Sequence, residues 1–149
     1  MEPGSPTVDR MCSELLDALQ LGASQGMREH LDPQLKQLLS MLPEPAAWVV
    51  TTRKGKDPRL LVLAAEALFV IQLLRDKSLF VVSRTTCRVR RVEHWRDGRK
   101  SSWRFELKRC NEPIRLESLI ADDGPSDVEE FARALAEHAG WAINDASSE

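Results

Sequence analysis

The chain has 149 residues, 42% of them hydrophobic and 30% charged, with a net charge of −2 and three cysteines. That length supports one domain with its own core, and that balance excludes intrinsic disorder. Three cysteines (Cys12, Cys87, Cys110) with no Cys-x-x-Cys or Cys/His spacing exclude a disulfide framework and a zinc site.

The charge is unevenly divided. Residues 1–52 carry three Lys/Arg against seven Asp/Glu, residues 53–109 carry sixteen against six, and residues 110–149 carry two against ten. A basic middle between acidic ends bears on steering and polyanion contact, not on fold. The N-terminal Met-Glu-Pro-Gly-Ser-Pro lacks the basic-then-apolar pattern of a secretory leader. The longest apolar run, Leu60–Leu74, has 15 residues and is interrupted by Glu66, whereas a membrane span needs about 20. The expected setting is reducing and cytoplasmic, with peripheral membrane association as an extension of it.

In chain order, residues 1–7 read as a tail. A helix follows from about Asp9, with Met11, Leu15, Leu16 and Leu19 on one face and Gly22 as its stop. A second helix is predicted to open at Asp32-Pro33, with Asp as N-cap and Pro at the first helical position. Leu35, Leu38, Leu39 and Leu42 form its apolar face, and Pro43 and Pro45 end it.

Beyond Pro45 the hydrophobic period changes from helical to strand-like. Seven strands are predicted: 46–52, 59–65, 68–74, 79–83, 87–95, 102–109 and 114–120. Arg96-Asp97-Gly98-Arg99 is a hairpin signal, because Asp-Gly accepts the positive φ of a tight turn. Trp103, Phe105 and Leu107 alternate with Arg104, Glu106 and Lys108, the cleanest two-residue period in the chain. Val89 and Val92 stand an odd number apart, which predicts a bulge or a failed alternation between them.

A last helix is marked by the capping box Ser126/Glu129, an apolar stripe of Val128, Phe131, Ala132, Leu135 and Ala139, and Gly140 as its stop. The expected organisation is an N-terminal helical extension packed on the domain (1–45), the strand-rich domain (46–143) and a tail (144–149).

Seven short antiparallel strands followed by one amphipathic helix resemble the pleckstrin-homology superfold. The resemblance implies an α+β fold: a seven-stranded, partly open antiparallel barrel capped by the C-terminal helix, here preceded by two helices. It further implies a non-enzymatic adaptor or binding module, taking protein partners or anionic lipid such as phosphoinositides. In lipid-binding members, basic residues in and after the first hairpin loop hold headgroup phosphates. Arg53, Lys54, Lys56 and Arg59 occupy that neighbourhood, but the family's Lys/Arg-x-Arg triplet is not met, since Arg59 is followed by Leu60 and Leu61. The family's tryptophan within the last helix is also displaced, to Trp141 just past the predicted end.

A second candidate is the basic surface of the fifth and sixth strands. Arg88 and Arg90 alternate onto one face, and Arg104 and Lys108 share the outer face of their strand. Such a stripe suits anionic lipid or, as the alternative function, nucleic-acid phosphates. The bland reading of both candidates is a solvated charged surface. No metal or cofactor is expected: the acidic residues near 122–130 fit helix capping, and no EF-hand spacing or glycine-rich phosphate loop occurs. His30, His94 and His138 lie in no nucleophile motif, so no catalytic residue is assigned. A small enzyme would need a pocket pairing His94 with a nearby acid.

Overall fold

The structure is a computed structural model that describes residues 1–2, 4–21, 25–53, 55–119 and 127–138. Its elements run α1 (Pro6–Leu19), α2 (Gln25–Ser40), β1 (Ala47–Arg53), β2 (Lys56–Ala64), β3 (Ala67–Leu74), a 3₁₀ turn (Arg75–Lys77), β4 (Leu79–Thr86), β5 (Val89–Asp97), β6 (Lys100–Leu107), β7 (Ile114–Leu119) and α3 (Asp127–His138). The seven strands are antiparallel and form two meanders, β1-β2-β3-β4 and β5-β6-β7. Contacts divide the chain into two compact units: residues 1–65 with 69–84, and residues 66–68 with the chain from 85 onward. No described helix is long and apolar enough to cross a membrane.

In the first unit, α1 begins three residues before the position read from the sequence. Ser5 caps it, its Oγ accepting from the Val8 N–H at 3.2 Å, and Pro6 follows where a missing N–H costs nothing. Its buried stripe is Val8, Met11, Cys12, Leu15, Leu16 and Leu19.

Helix α2 departs further from expectation. It starts at Gln25 rather than Asp32, so Pro33 lies inside it. An interior proline costs about 3 kcal/mol through a lost hydrogen bond and a steric clash. Fully burying a leucine stabilises by about 1.5–3 kcal/mol, and Leu31, Leu35 and Leu39 are all fully buried at helical spacing. The earlier start keeps Leu31 on that stripe and adds the partly buried Met27.

Both helices cover one face of the four-stranded sheet. Their stripes meet Leu60, Val62 and Ala64 of β2, Ile71 and Leu73 of β3, and Phe80 of β4, with Trp48, Val50 and Phe69 at the margin. Leu61 and Leu63, which alternate onto the other face of β2, are buried as well. Gln34 of α2 extends this packing to the β4 edge, its Oε1 accepting from the Phe80 N–H at 2.7 Å. The first hairpin closes with Arg53 opposite Lys56 around Lys54-Gly55, and Gly55 takes a φ of +73°. Ala65, in the two-residue turn between β2 and β3, is also left-handed at +53°.

In the second unit, Gly98 (φ +61°) begins the two-residue turn between the paired Asp97 and Lys100. Val89 pairs with Leu107 but Arg91 with Glu106, so β5 holds one extra residue, Arg90. This is the bulge that the odd spacing of Val89 and Val92 predicts. Trp103, Phe105 and Leu107 of β6 are buried with Ile114 and Leu116 of β7. Helix α3 packs on β7 and buries Phe131, Ala132, Leu135 and Ala136.

Candidate anion-binding residues and a buried carboxylate

Of the first-hairpin residues, Arg53 and Lys56 are ladder partners and Arg59 pairs with Thr51. Lys54 lies outside the described residues, and Arg53 is placed by its backbone alone. Arg59 is half-buried opposite Thr51, with its Nε shielded from solvent. Lys56 is exposed at an open cleft of about 600 Å³, lined also by Gly55, Asp57, Gln72, Leu73 and Arg75. Arg75 shares its Nε–H between both Asp57 carboxylate oxygens at 3.0 and 2.8 Å, and donates from NH2 to the Leu19 carbonyl at 2.8 Å. The hydrogen bond to Asp57 holds the Arg75 guanidinium above its ordinary range, and their charge attraction adds to it against partial burial. The cleft therefore offers Lys56 beside an arginine already committed to a carboxylate.

The outer face of β5 and β6 carries both signs of charge. Arg104 sits opposite Glu93 and next-but-one to Glu106; its guanidinium lies 2.8 Å from Glu106 and 3.8 Å from Glu93. Arg91 reaches Glu93 at 2.7 Å, and Lys100 reaches Glu117 of β7 at 3.1 Å. Arg104, one of the cations singled out from sequence, is thus neutralised in place. Trp95, 43% exposed, is opposite Ser102 on the same ladder.

Four other cations have a different environment. Arg88 and Arg90 flank buried Val89, and Lys108 and Arg109 follow buried Leu107, the ladder partner of Val89. The Lys108 N–H donates to the Arg88 carbonyl at 2.9 Å, which fixes the two strands side by side there. All four side chains are exposed, and among the described residues none forms an ion pair. The structure brings these cations together at one end of the β5–β6 ladder.

The opposite side of the ladder holds a buried carboxylate. Ser126, the other half of the predicted capping box, lies outside the described residues. Glu129 is only 4% exposed and reaches into the sheet. Its Oε2 accepts from the Ser101 hydroxyl and from the Trp103 indole N–H, both at 2.8 Å, and its Oε1 accepts from Arg133 at 3.2 Å. His94 Nε2 is 2.9 Å from Ser101 Oγ, and its ring stacks on Trp103 at 3.8 Å and 9°. Arg133 lies over the same indole at 6.0 Å. Burial pushes the Glu129 carboxyl up, but hydrogen bonds from Trp103 and Ser101 and the charges of Arg133 and His94 together hold it below its ordinary range. Sequence reading assigned Glu129 to capping alone, because its sheet partners lie 26 and 28 residues away in the chain.

This network pairs His94 with an acid, but in an order unlike that of a hydrolase. The single Ser101 proton goes to Glu129, so Ser101 accepts from His94 instead of being deprotonated by it. Ser101 is also fully buried. All three thiols are free: Cys12 and Cys87 are buried and Cys110 is half-exposed. Burial, with the Asp32 carboxylate beside it, pushes the Cys12 thiol up to about 12. Among the described residues no three His, Cys, Asp or Glu side chains are grouped to hold a metal ion. Compared with known proteins, the chain matches no family model, and neither the curated proteins nor the solved structures give a match.

Proposed function

We propose that the chain is a non-enzymatic binding module of pleckstrin-homology-like type that docks on an anionic membrane surface through Arg88, Arg90, Lys108 and Arg109. The observation that carries this reading is the contrast on one ladder: four exposed cations without carboxylate partners at one end, and Arg91 and Arg104 paired with acids in its middle. The order of elements, antiparallel meanders followed by an amphipathic helix, agrees with the fold resemblance. A cytoplasmic setting with three free thiols suits it.

Each Lys or Arg near an anionic leaflet contributes about 1 kcal/mol, so four together supply about 4 kcal/mol, or roughly a thousandfold in partitioning. The test is co-sedimentation with vesicles of neutral lipid, of phosphatidylserine mixtures and of phosphoinositide mixtures, beside gel shifts with RNA and DNA. The expected result is retention on anionic vesicles at about 0.15 M salt, lost in Arg88→Glu/Lys108→Glu. A nucleic-acid shift without vesicle binding would replace this reading with the nucleic-acid alternative. Binding to neither would leave a protein partner as the adaptor's ligand.

A further inference from the structure

We propose that Trp95 is a second membrane anchor on the β5–β6 ladder: its indole enters the headgroup region of an anionic bilayer on the same face from which Arg88 and Lys108 meet the lipid phosphates. The inference rests on the membrane reading above and adds an orientation to it, with the outer face of this ladder laid along the bilayer.

Register places the three side chains. Trp103, Phe105 and Leu107 bury one face of β6, so Ser102, Arg104 and Glu106 belong to the other. Trp95 is opposite Ser102, Glu93 opposite Arg104, and Arg91 opposite Glu106. The Arg104 guanidinium, 3.8 Å from Glu93 and 2.8 Å from Glu106, joins the two strands across that outer face. The Lys108 N–H bond to the Arg88 carbonyl carries the ladder one pair past Val89 and Leu107. Arg88 and Lys108 therefore stand opposite one another, on the face away from buried Val89 and Leu107. From Ser102 to Lys108 the strand advances by about 20 Å. One face thus has an exposed indole toward one end and two exposed cations at the other.

Trp95 differs from the other described tryptophans. Trp103 is 2% exposed and gives its indole N–H to Glu129 at 2.8 Å. Trp48 is half-buried against the core of the first unit, with Arg10 over its ring at 5.4 Å. Trp95 is 43% exposed. An indole has an apolar body and a polar N–H edge, and the boundary between headgroups and acyl chains solvates both. Arg and Lys suit the phosphates above that boundary. Between the two contact points Glu93 lies 2.7 Å from Arg91, and Glu106 2.8 Å from Arg104, so an anionic surface meets paired carboxylates there.

The expected effect follows from area. With 43% of a side chain of roughly 200 Å² exposed, full withdrawal of that surface from water strengthens partitioning about 40-fold, and withdrawal of half of it about sixfold. The experiment uses the full chain with vesicles of phosphatidylcholine and phosphatidylserine, in which the phosphatidylcholine carries bromine at a shallow or a deep acyl position. Co-sedimentation reports binding, and tryptophan emission reports insertion. The expected result is a blue shift with stronger quenching by the shallow bromines, lost in Trp95→Phe, which keeps the other three tryptophans and an aromatic ring. Trp95→Ala should weaken partitioning about sixfold. A native chain that sediments with the vesicles but is quenched no more than Trp95→Phe overturns the anchor and leaves the membrane reading standing. Unchanged partitioning of Trp95→Ala also overturns it. Absence of any vesicle binding overturns both readings together. Should Trp95→Ala fail to fold, the quenching difference between the native chain and Trp95→Phe decides alone.

Discussion

Glu129→Ala should cost more stability than any single substitution on the surface of α3. The side chain is 4% exposed, and its removal strands three donors: the Ser101 hydroxyl, the Trp103 indole N–H and the Arg133 guanidinium. Hydrogen bonds to a charged group contribute about 1.5–3 kcal/mol each, and an unsatisfied buried donor costs about 1–3 kcal/mol. Ser101 and Trp103 are buried, whereas Arg133 keeps part of its surface in water and recovers hydration. The expected loss is therefore about 3–5 kcal/mol, the range for breaking a buried charged pair from one side. Glu129→Gln should cost less, about 1–2 kcal/mol. Its amide oxygen serves Ser101 and Trp103, while its NH2 faces Arg133 donor to donor.

Urea unfolding, followed by far-UV circular dichroism and by tryptophan fluorescence, measures both variants. Because the Glu129 carboxyl is held below its ordinary value of 4.5, its contribution is present above that value and lost as pH falls through the folded one. The gap between the native chain and Glu129→Gln should accordingly close on acidification below pH 4.5. A helix of 12 residues is marginal on its own, so the same loss should appear as faster hydrogen exchange along α3. A cost below about 1 kcal/mol for Glu129→Ala, or strict additivity in a Ser101→Ala/Glu129→Gln cycle, would refute the argument that these groups act as one network.

Two further outcomes follow from local geometry. Ala65 sits in an exposed turn at φ +53°, where a Cβ crowds the backbone, so Ala65→Gly should stabilise by up to about 1 kcal/mol and raise Tm by about 2–4 °C. Native alkylation with iodoacetamide, read by mass spectrometry, should modify half-exposed Cys110 first and leave Cys12 intact until unfolding, since burial pushes the Cys12 thiol up to about 12 and keeps it protonated at neutral pH.

Much of the fold was legible because it rests on period. All seven strands were read close to their places, since alternation such as Trp103, Phe105, Leu107 reports a half-buried sheet directly. The extra residue at Arg90 was legible for the same reason: a bulge is a local failure of that alternation. The start of α2 was not. Asp-Pro is a strong local signal for a helix start, but the sheet rewards burial of Leu31 by more than the proline costs, and the identity of the covering face is not a local property. The same limit hid Gln34, which reads as a polar helix residue until β4 is placed beside it.

The candidate site shows how charge reading succeeds and fails. Counting cations along 84–109 located the basic segment, but a count has no register. Once β5 and β6 are paired, Glu93 falls opposite Arg104 and Glu106 opposite Arg91, so the middle of the ladder cancels its own field. Arg88, Arg90, Lys108 and Arg109 escape because Val89 and Leu107 are the residues paired between them, and no acidic residue lies on either strand there. Arg75 was missed for the converse reason: its partner Asp57 is 18 residues earlier, and only the return of the chain brings the two within 2.8 Å. Opposite charges on neighbouring strands thus neutralise Arg91, Lys100 and Arg104 and leave a group of four cations at one end of the ladder. A charge reversal at Arg104 should accordingly disturb vesicle binding less than one at Arg88, although the sequence alone gives them equal weight.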